Sequence, residues 1–185
     1  MGFLELAKKR STTYDFDDKK LSDENVAKIL EAGRWAPSCT NSQPWNFILI
    51  KSKDMIDKLV RTANYGDFHS DPVFMIAVVL REERCKGKGF SCFTGKDSLV
   101  QDSYMSCGMA ALQMILEATD LQINSCLLTP EESKAKKLLK IKLADALPLI
   151  VGFGYKRKGT FQKKRERAEL KEIISYEYFG GKNEI

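Results

Sequence analysis

Three short stretches of this 185-residue chain carry side chains with chemistry to offer. Near the N-terminus, Lys8, Lys9 and Arg10 are followed by Ser11, Thr12 and Thr13. Cations, hydroxyls and backbone N–H groups on one extended segment are the donor set that binds a phosphate. The second stretch, WAPSCTNSQPWNF over residues 35–47, places both tryptophans and two of the five prolines around Ser38, Thr40, Asn41, Ser42 and Gln43. Pro37 and Pro44 fix the backbone locally, leaving hydroxyls and amides between them to hydrogen-bond a heteroaromatic ring. The third, Lys163, Lys164, Arg165, Glu166 and Arg167, is a second cationic cluster far along the chain. Taken singly, each basic stretch reads equally well as solvated surface.

The rest of the inventory is poor in catalytic groups. Five cysteines at 39, 85, 92, 107 and 126 form no CxxC pair, and there is one histidine, His69. That is a weak set for zinc or an iron–sulfur cluster, so no metal site is expected. Cys39 reads as a small buried side chain, and His69, in a polar Gly-Asp-Phe-His context, as solvated. No side chain stands out as a general acid or base. An odd cysteine count with no export signal at the start points to a reducing cytoplasm. The longest apolar run, residues 73–80, is too short to span a bilayer, so no membrane partner is expected. A net charge of +5 raises the question of a polyanion. A nucleic-acid-binding reading would line lysines 134–142 and residues 156–167 along a phosphate backbone, but single-strand binders interleave aromatics with such lysines, and this chain does not. No nucleic-acid partner is expected.

Elements that position these stretches can be read from periodicity. A short helix over 3–9 precedes an extended arm, residues 10–20. Ser22 caps the next helix, with Asp23 and Glu24 in its first turn and Val26, Ile29, Leu30 and Gly33 inward, and Pro37 stops it. Trp35 and Trp45 are expected to anchor the two ends of the 35–47 stretch in the core. Residues 45–50 read as a strand, followed by a helix facing inward through Ile56, Leu59, Val60 and Ala63, and by the 73–80 strand. Residues 81–97 have no period and read as a surface loop or lid. A long helix over 98–120 is expected to bury Leu99, Gly108, Ala111, Leu112, Ile115 and Leu116, with small residues at 108–111 admitting another helix or a flat group. A strand follows at 123–128. Then comes a helix with Thr129 as cap, Pro130 at its first position and Glu132 three after the cap. Residues 149–155 form a last strand, a final helix starts near Ala168, and 175–185 is a tail. With no repeat or linker, 1–185 reads as a single domain of α/β class, its sheet covered on both faces.

In combination the stretches resemble the FMN-dependent nitroreductase family. The resemblance rests on the basic-Arg-Ser arm at 9–13, on Glu31-Ala-Gly-Arg-Trp-Ala-Pro-Ser38, and on Asn41-x-Gln-Pro-Trp45. It continues through the helix at 102–121, Gly152-Phe-Gly-Tyr155 and Arg165-x-Arg167 before Leu170-x-Glu-Ile-Ile174. It implies a three-layer nitroreductase fold: a central mixed sheet flanked by helices, with a C-terminal tail extending to a dimer partner. It implies a homodimer with FMN at the subunit interface, and NADH or NADPH as the transient reductant. By position, Lys9, Ser11, Arg165 and Arg167 would meet the FMN phosphate, with Arg10 adjacent. Pro37, Ser38, Asn41 and Gln43 would lie against the ring and ribityl chain. Leu127, Leu128 and Thr129 align with the segment whose backbone N–H approaches flavin N5; Pro130 has no N–H to give. The implied reaction is ping-pong hydride transfer through N5 to a nitroaromatic, quinone or other electron-poor small-molecule acceptor.

Two places depart from the family pattern. Thr13 stands where a third basic residue is usual near the flavin's pyrimidine edge, so the cation that would offset charge developing at N1/O2 is missing. The 81–97 segment matches least. Relatives with this fold that dehalogenate or break down flavin carry dedicated lids, and this segment is where one would sit; ferredoxin-linked reduction is a further alternative for the flavin.

Overall fold

A computed structural model describes residues 2–64, 68–85, 96–161 and 165–181; side chains at 82, 85 and 96–100 are outside this description. Helices α1 (Phe3–Lys9) and α2 (Asp23–Arg34) flank the two-residue strand β1 (Phe16–Asp17). A 3₁₀ turn, Cys39–Asn41, leads into β2 (Trp45–Ile50), α3 (Lys53–Val60), β3 (Phe74–Leu80) and the single turn α4 (Glu82–Cys85). The long α5 (Lys96–Asp120), β4 (Asn124–Leu128), α6 (Glu132–Leu139), β5 (Ala146–Lys156) and α7 (Leu170–Ile173) complete the order.

The sheet is built on β5. It runs β1-β5-β3-β2, with β4 also paired to β5, and these ladders are antiparallel. One parallel bridge, Thr12 to Ser125, stitches the N-terminal arm to β4. All seven residues of β3 are buried, and their alternation sorts them between two cores. Phe74, Ile76, Val78 and Leu80 pack with α2 and α5 through Ile29, Ala110, Met114 and Ala118. Met75, Ala77 and Val79 face α3 and α6 through Ile56, Leu59 and Ala135. Helices therefore cover both faces, as the alternation of strand and helix predicts.

Caps explain where helices begin. Ser22 Oγ accepts from Asn25 N–H at 3.2 Å, and Ser52 Oγ accepts from Met55 N–H at 3.5 Å, each satisfying an orphan first-turn donor. The expected cap at Thr129 is not formed. Residues 129–130 instead pair with the segment after α3: Thr129 O accepts from Asn64 N–H, and Pro130 forms an isolated antiparallel bridge with Ala63. The helix starts two residues later, from Glu131, and the Glu132 carboxylate accepts from Leu147 N–H rather than closing a capping box. Strand pairing thus outcompetes a local cap.

Three further expectations are corrected. Trp45 is buried, but Trp35 is 71% exposed. As the C-cap of α2 it points outward, with its indole N–H donating to Glu31 at 2.7 Å and the Arg34 guanidinium over its ring. Gly108 and Leu112 face outward on α5, although Ala111 and Ile115 are buried as expected. The final helix is a single turn from Leu170, closed by reciprocal bonds between Glu169 and Glu172. The lid expectation for 81–97 falls mostly outside the described residues, apart from α4 and the first turn of α5, which starts at Lys96.

Candidate functional site

Lys9 and Ser11 line a small polar cleft of about 140 Å³ with Thr119, Gln122, Ile123 and Asn124, where α5 turns into β4. The arm is held there by backbone pairing, Thr13 N–H donating to Ser125 O at 3.1 Å. Arg165, distant in sequence, returns to the same arm: its guanidinium donates to the carbonyls of Lys8 and Arg10. Arg10, Arg165 and Arg167 therefore share one corner. The Arg10 guanidinium has its pKa lowered, first by burial and then by the charges of Arg165 and Arg167. Three cations gathered in one corner suit an anion. The sequence-predicted Lys9, Arg10, Ser11, Arg165 and Arg167 are thus brought together.

Thr13 belongs to the arm but not to its donor surface. It is 4% exposed, and its hydroxyl donates to Asp15 O at 3.2 Å while accepting from Asp15 N–H at 3.3 Å. A hydroxyl has one proton, and this one is spent on the backbone.

The 37–43 loop is rigid by its own bonding. Ser38 Oγ accepts from Gln43 N–H at 3.0 Å, and the Gln43 amide donates to Asn41 O and Oδ1, each at 3.2 Å. Thr40, Asn41 and Gln43 all adopt positive φ, at 51°, 56° and 47°. A β-branched threonine there is strained, and such strain persists only where the surroundings over-determine it. Arg81 N–H donates to Pro44 O at 2.7 Å, and Arg84 donates to Gln43 O at 3.2 Å, so the chain after β3 braces this loop. Pro37 is exposed beside it.

Between the loop and α5 lies an open apolar groove of about 570 Å³, lined by Cys39, Asp102, Met105, Ser106, Gly108, Met109 and Leu112. Cys39 is half-buried on its wall rather than a core filler. Met105, Met109 and Leu112 are 58%, 37% and 50% exposed. Met105 and Met109 are not legible from sequence, because the apolar residues of α5 are spread too widely around it for a second apolar face to give a periodic signal. Spacing of three and four residues from Met105 to Leu112, continued by seven to Thr119, puts the groove and the Lys9–Ser11 cleft on one side of α5. Ten residues separate Met109 from Thr119, about 15 Å along a helix at 1.5 Å per residue.

Leu127, Leu128 and Thr129 stand apart from both. Leu127 and Thr129 point outward and Leu128 into the core, next to the end of α3. His69 is exposed. Among the described residues no group of His, Cys, Asp and Glu is arranged to hold a metal ion. No helix among them is long and apolar enough to cross a membrane.

A cation corner, a polar cleft and an apolar groove in line along one helix suit a ligand with an anionic end and a flat end. The model of the nitroreductase family matches residues 7–155. The chain belongs to that family. An Archaeoglobus fulgidus protein that carries the provisional name NADH dehydrogenase/NAD(P)H nitroreductase is 31% identical over 128 residues, 68% of this chain and 67% of its own length. Among eight such relatives the match spans between 23% and 67% of their length. The crystal structure of a nitroreductase family protein from Clostridium difficile 630 superposes with a TM-score of 0.81 at 28% identity, covering 96% of this chain and 99% of its own. A protein described as an FMN-dependent nitroreductase from Clostridium difficile R20291 shares the fold, with a TM-score of 0.77 at 19% identity over 96% of this chain and 100% of its own.

Proposed function

We propose that this protein is an FMN-dependent oxidoreductase that takes electrons from NADH or NADPH and reduces nitroaromatic, quinone or related electron-poor acceptors. The observation that carries the reading is the convergence of Arg10, Arg165 and Arg167 beside Lys9 and Ser11, in line with the methionine-lined groove. The donor set fits FMN: cations and a hydroxyl for the phosphate, polar side chains for the ribityl chain, apolar walls for the ring.

FMN held there would supply the redox chemistry, the exchange of two electrons between nicotinamide and acceptor. The chain's own residues position and shield. Arg165 and Arg167, with Lys9 and Ser11, neutralise the phosphate and fix one end of the ligand. Pro37, Ser38, Asn41 and Gln43 form a rigid platform whose amides and hydroxyl orient the ring, which saves the entropy of ordering a loop on binding. Met105, Met109 and Leu112 exclude water from one side of the groove. Leu127, Leu128 and Thr129 are assigned to a site completed by a second copy of the chain. A homodimer with the flavin at its interface would bring an outer strand edge of one protomer toward the groove of the other.

Steady-state kinetics with NADH or NADPH and a quinone or nitroaromatic acceptor test the reaction type. Double-reciprocal plots at several fixed acceptor concentrations should be parallel, because one substrate leaves before the other binds. Intersecting lines, or no turnover by FMN-loaded protein with either nicotinamide and any of these acceptors, would contradict it.

A further inference from the structure

The anion-binding corner is assembled from two segments, Arg10 and Arg165 being 155 residues apart, and both segments meet one carboxylate. Asp15 lies five residues after Arg10, and Thr160 five before Arg165. The Asp15 side chain is 17% exposed and is engaged on both oxygens. Oδ1 accepts from Arg157 Nε at 3.0 Å and lies 3.0 Å from Ser70 Oγ, while Oδ2 accepts from Thr160 Oγ1 at 2.6 Å. Around it, Arg157 N–H donates to Asp15 O at 3.1 Å, Arg157 Nη2 to Phe16 O at 2.9 Å, and Phe16 N–H to Ser70 Oγ. Asp15 therefore ties three places together: the arm, the turn after β5 and the segment before β3. Its acidity agrees, the carboxyl lying below its ordinary value through Thr160 first, with Ser70 and Arg157 adding.

Opposing this tie is the mutual repulsion of Arg10, Arg165 and Arg167 at the far end of the same two segments. Arg165 meets the arm as well, donating to the carbonyls of Lys8 and Arg10. We propose that Asp15 is a positioning residue for the phosphate of the flavin: by clamping the arm to the 157–160 turn, it holds Arg165 and Arg167 over Lys9 and Ser11. This rests on the reading that the corner binds FMN. Asp15 touches no ligand; it sets the local concentration of cations that do.

The test compares FMN with riboflavin, which has the same ring and ribityl chain but no phosphate, by quenching of flavin fluorescence on binding. Asp15→Ala should weaken FMN binding about tenfold to a hundredfold, the range seen when an outer partner that orients ligands is removed, and should leave riboflavin binding unchanged. Thr160→Val, which keeps the carboxylate and its other partners, should shift FMN affinity in the same direction by a smaller factor, and stands in if Asp15→Ala does not fold. Equal losses for both flavins would make Asp15 a general structural residue and overturn the proposal. So would an FMN-to-riboflavin ratio unchanged in both variants. If the unaltered protein binds neither flavin, the functional reading fails and this inference falls with it.

Discussion

At Arg10 a partly buried guanidinium beside two more arginines loses basicity to burial and to like charge. Lys9, Arg10 and Ser11 were legible as an anion-binding arm from residue type alone, but their partners were legible only by resemblance, since no periodicity joins residue 165 to residue 10. Thr13 was read as facing the flavin from its position, yet its hydroxyl turns to the Asp15 backbone, a local bond that competes with any ligand. Cys126 illustrates a different use of a polar atom. Burial pushes its thiol up to about 12, only partly offset by a bond from the Gly152 backbone. The folded state thus favours the neutral thiol. The stability this lends is whole below the ordinary value of 9.0 and is lost as pH rises through about 12. At pH 8, iodoacetamide should leave Cys126 unmodified in the native protein and alkylate it readily in urea, as read by peptide mass spectrometry. Native labelling as fast as in urea would contradict its placement.

Elements were most legible where one pattern dominated. The unbroken apolar run at 73–80 read as a buried strand, and Ser22 marked the start of its helix. Legibility failed where tertiary pairing overrode a local signal, as at Thr129, or where residue type misled, as at Trp35. A tryptophan at the end of a helix need not enter the core when Glu31 satisfies its N–H and Arg34 covers its ring. The arm's docking depends on the absence of a side chain in β5. A Cβ at Gly154 would lie 2.8 Å from Phe16 Cδ1 and 3.3 Å from Val73 Cγ2, and Phe16 is fully buried. Gly154→Ala should therefore cost about 1–3 kcal/mol, the usual penalty for overpacking. Urea unfolding followed by circular dichroism measures it, and an unshifted midpoint would show that Phe16 can move without loss.

For the whole molecule, the exposed apolar side chains form one theme. Tyr104, Met105, Met109 and Leu112 are exposed on α5, Phe3 and Leu4 on α1, and Tyr176, Tyr178 and Phe179 on the tail. Exposed apolar surface of this kind suits an interface, and a second copy is the partner that the proposed function requires. Leu112→Asp should convert a dimer to a monomer in light scattering coupled to size exclusion, with loss of bound flavin. A monomeric unaltered protein that retains flavin would contradict the assignment of the site to the interface.

The central claim is most directly tested by the absorption spectrum of the purified protein, reconstituted with FMN and then titrated anaerobically with NADH and with NADPH. The account predicts a yellow protein that releases FMN on denaturation and is bleached by at least one nicotinamide. A protein that stays colourless after reconstitution, or whose flavin neither nicotinamide reduces, would contradict it.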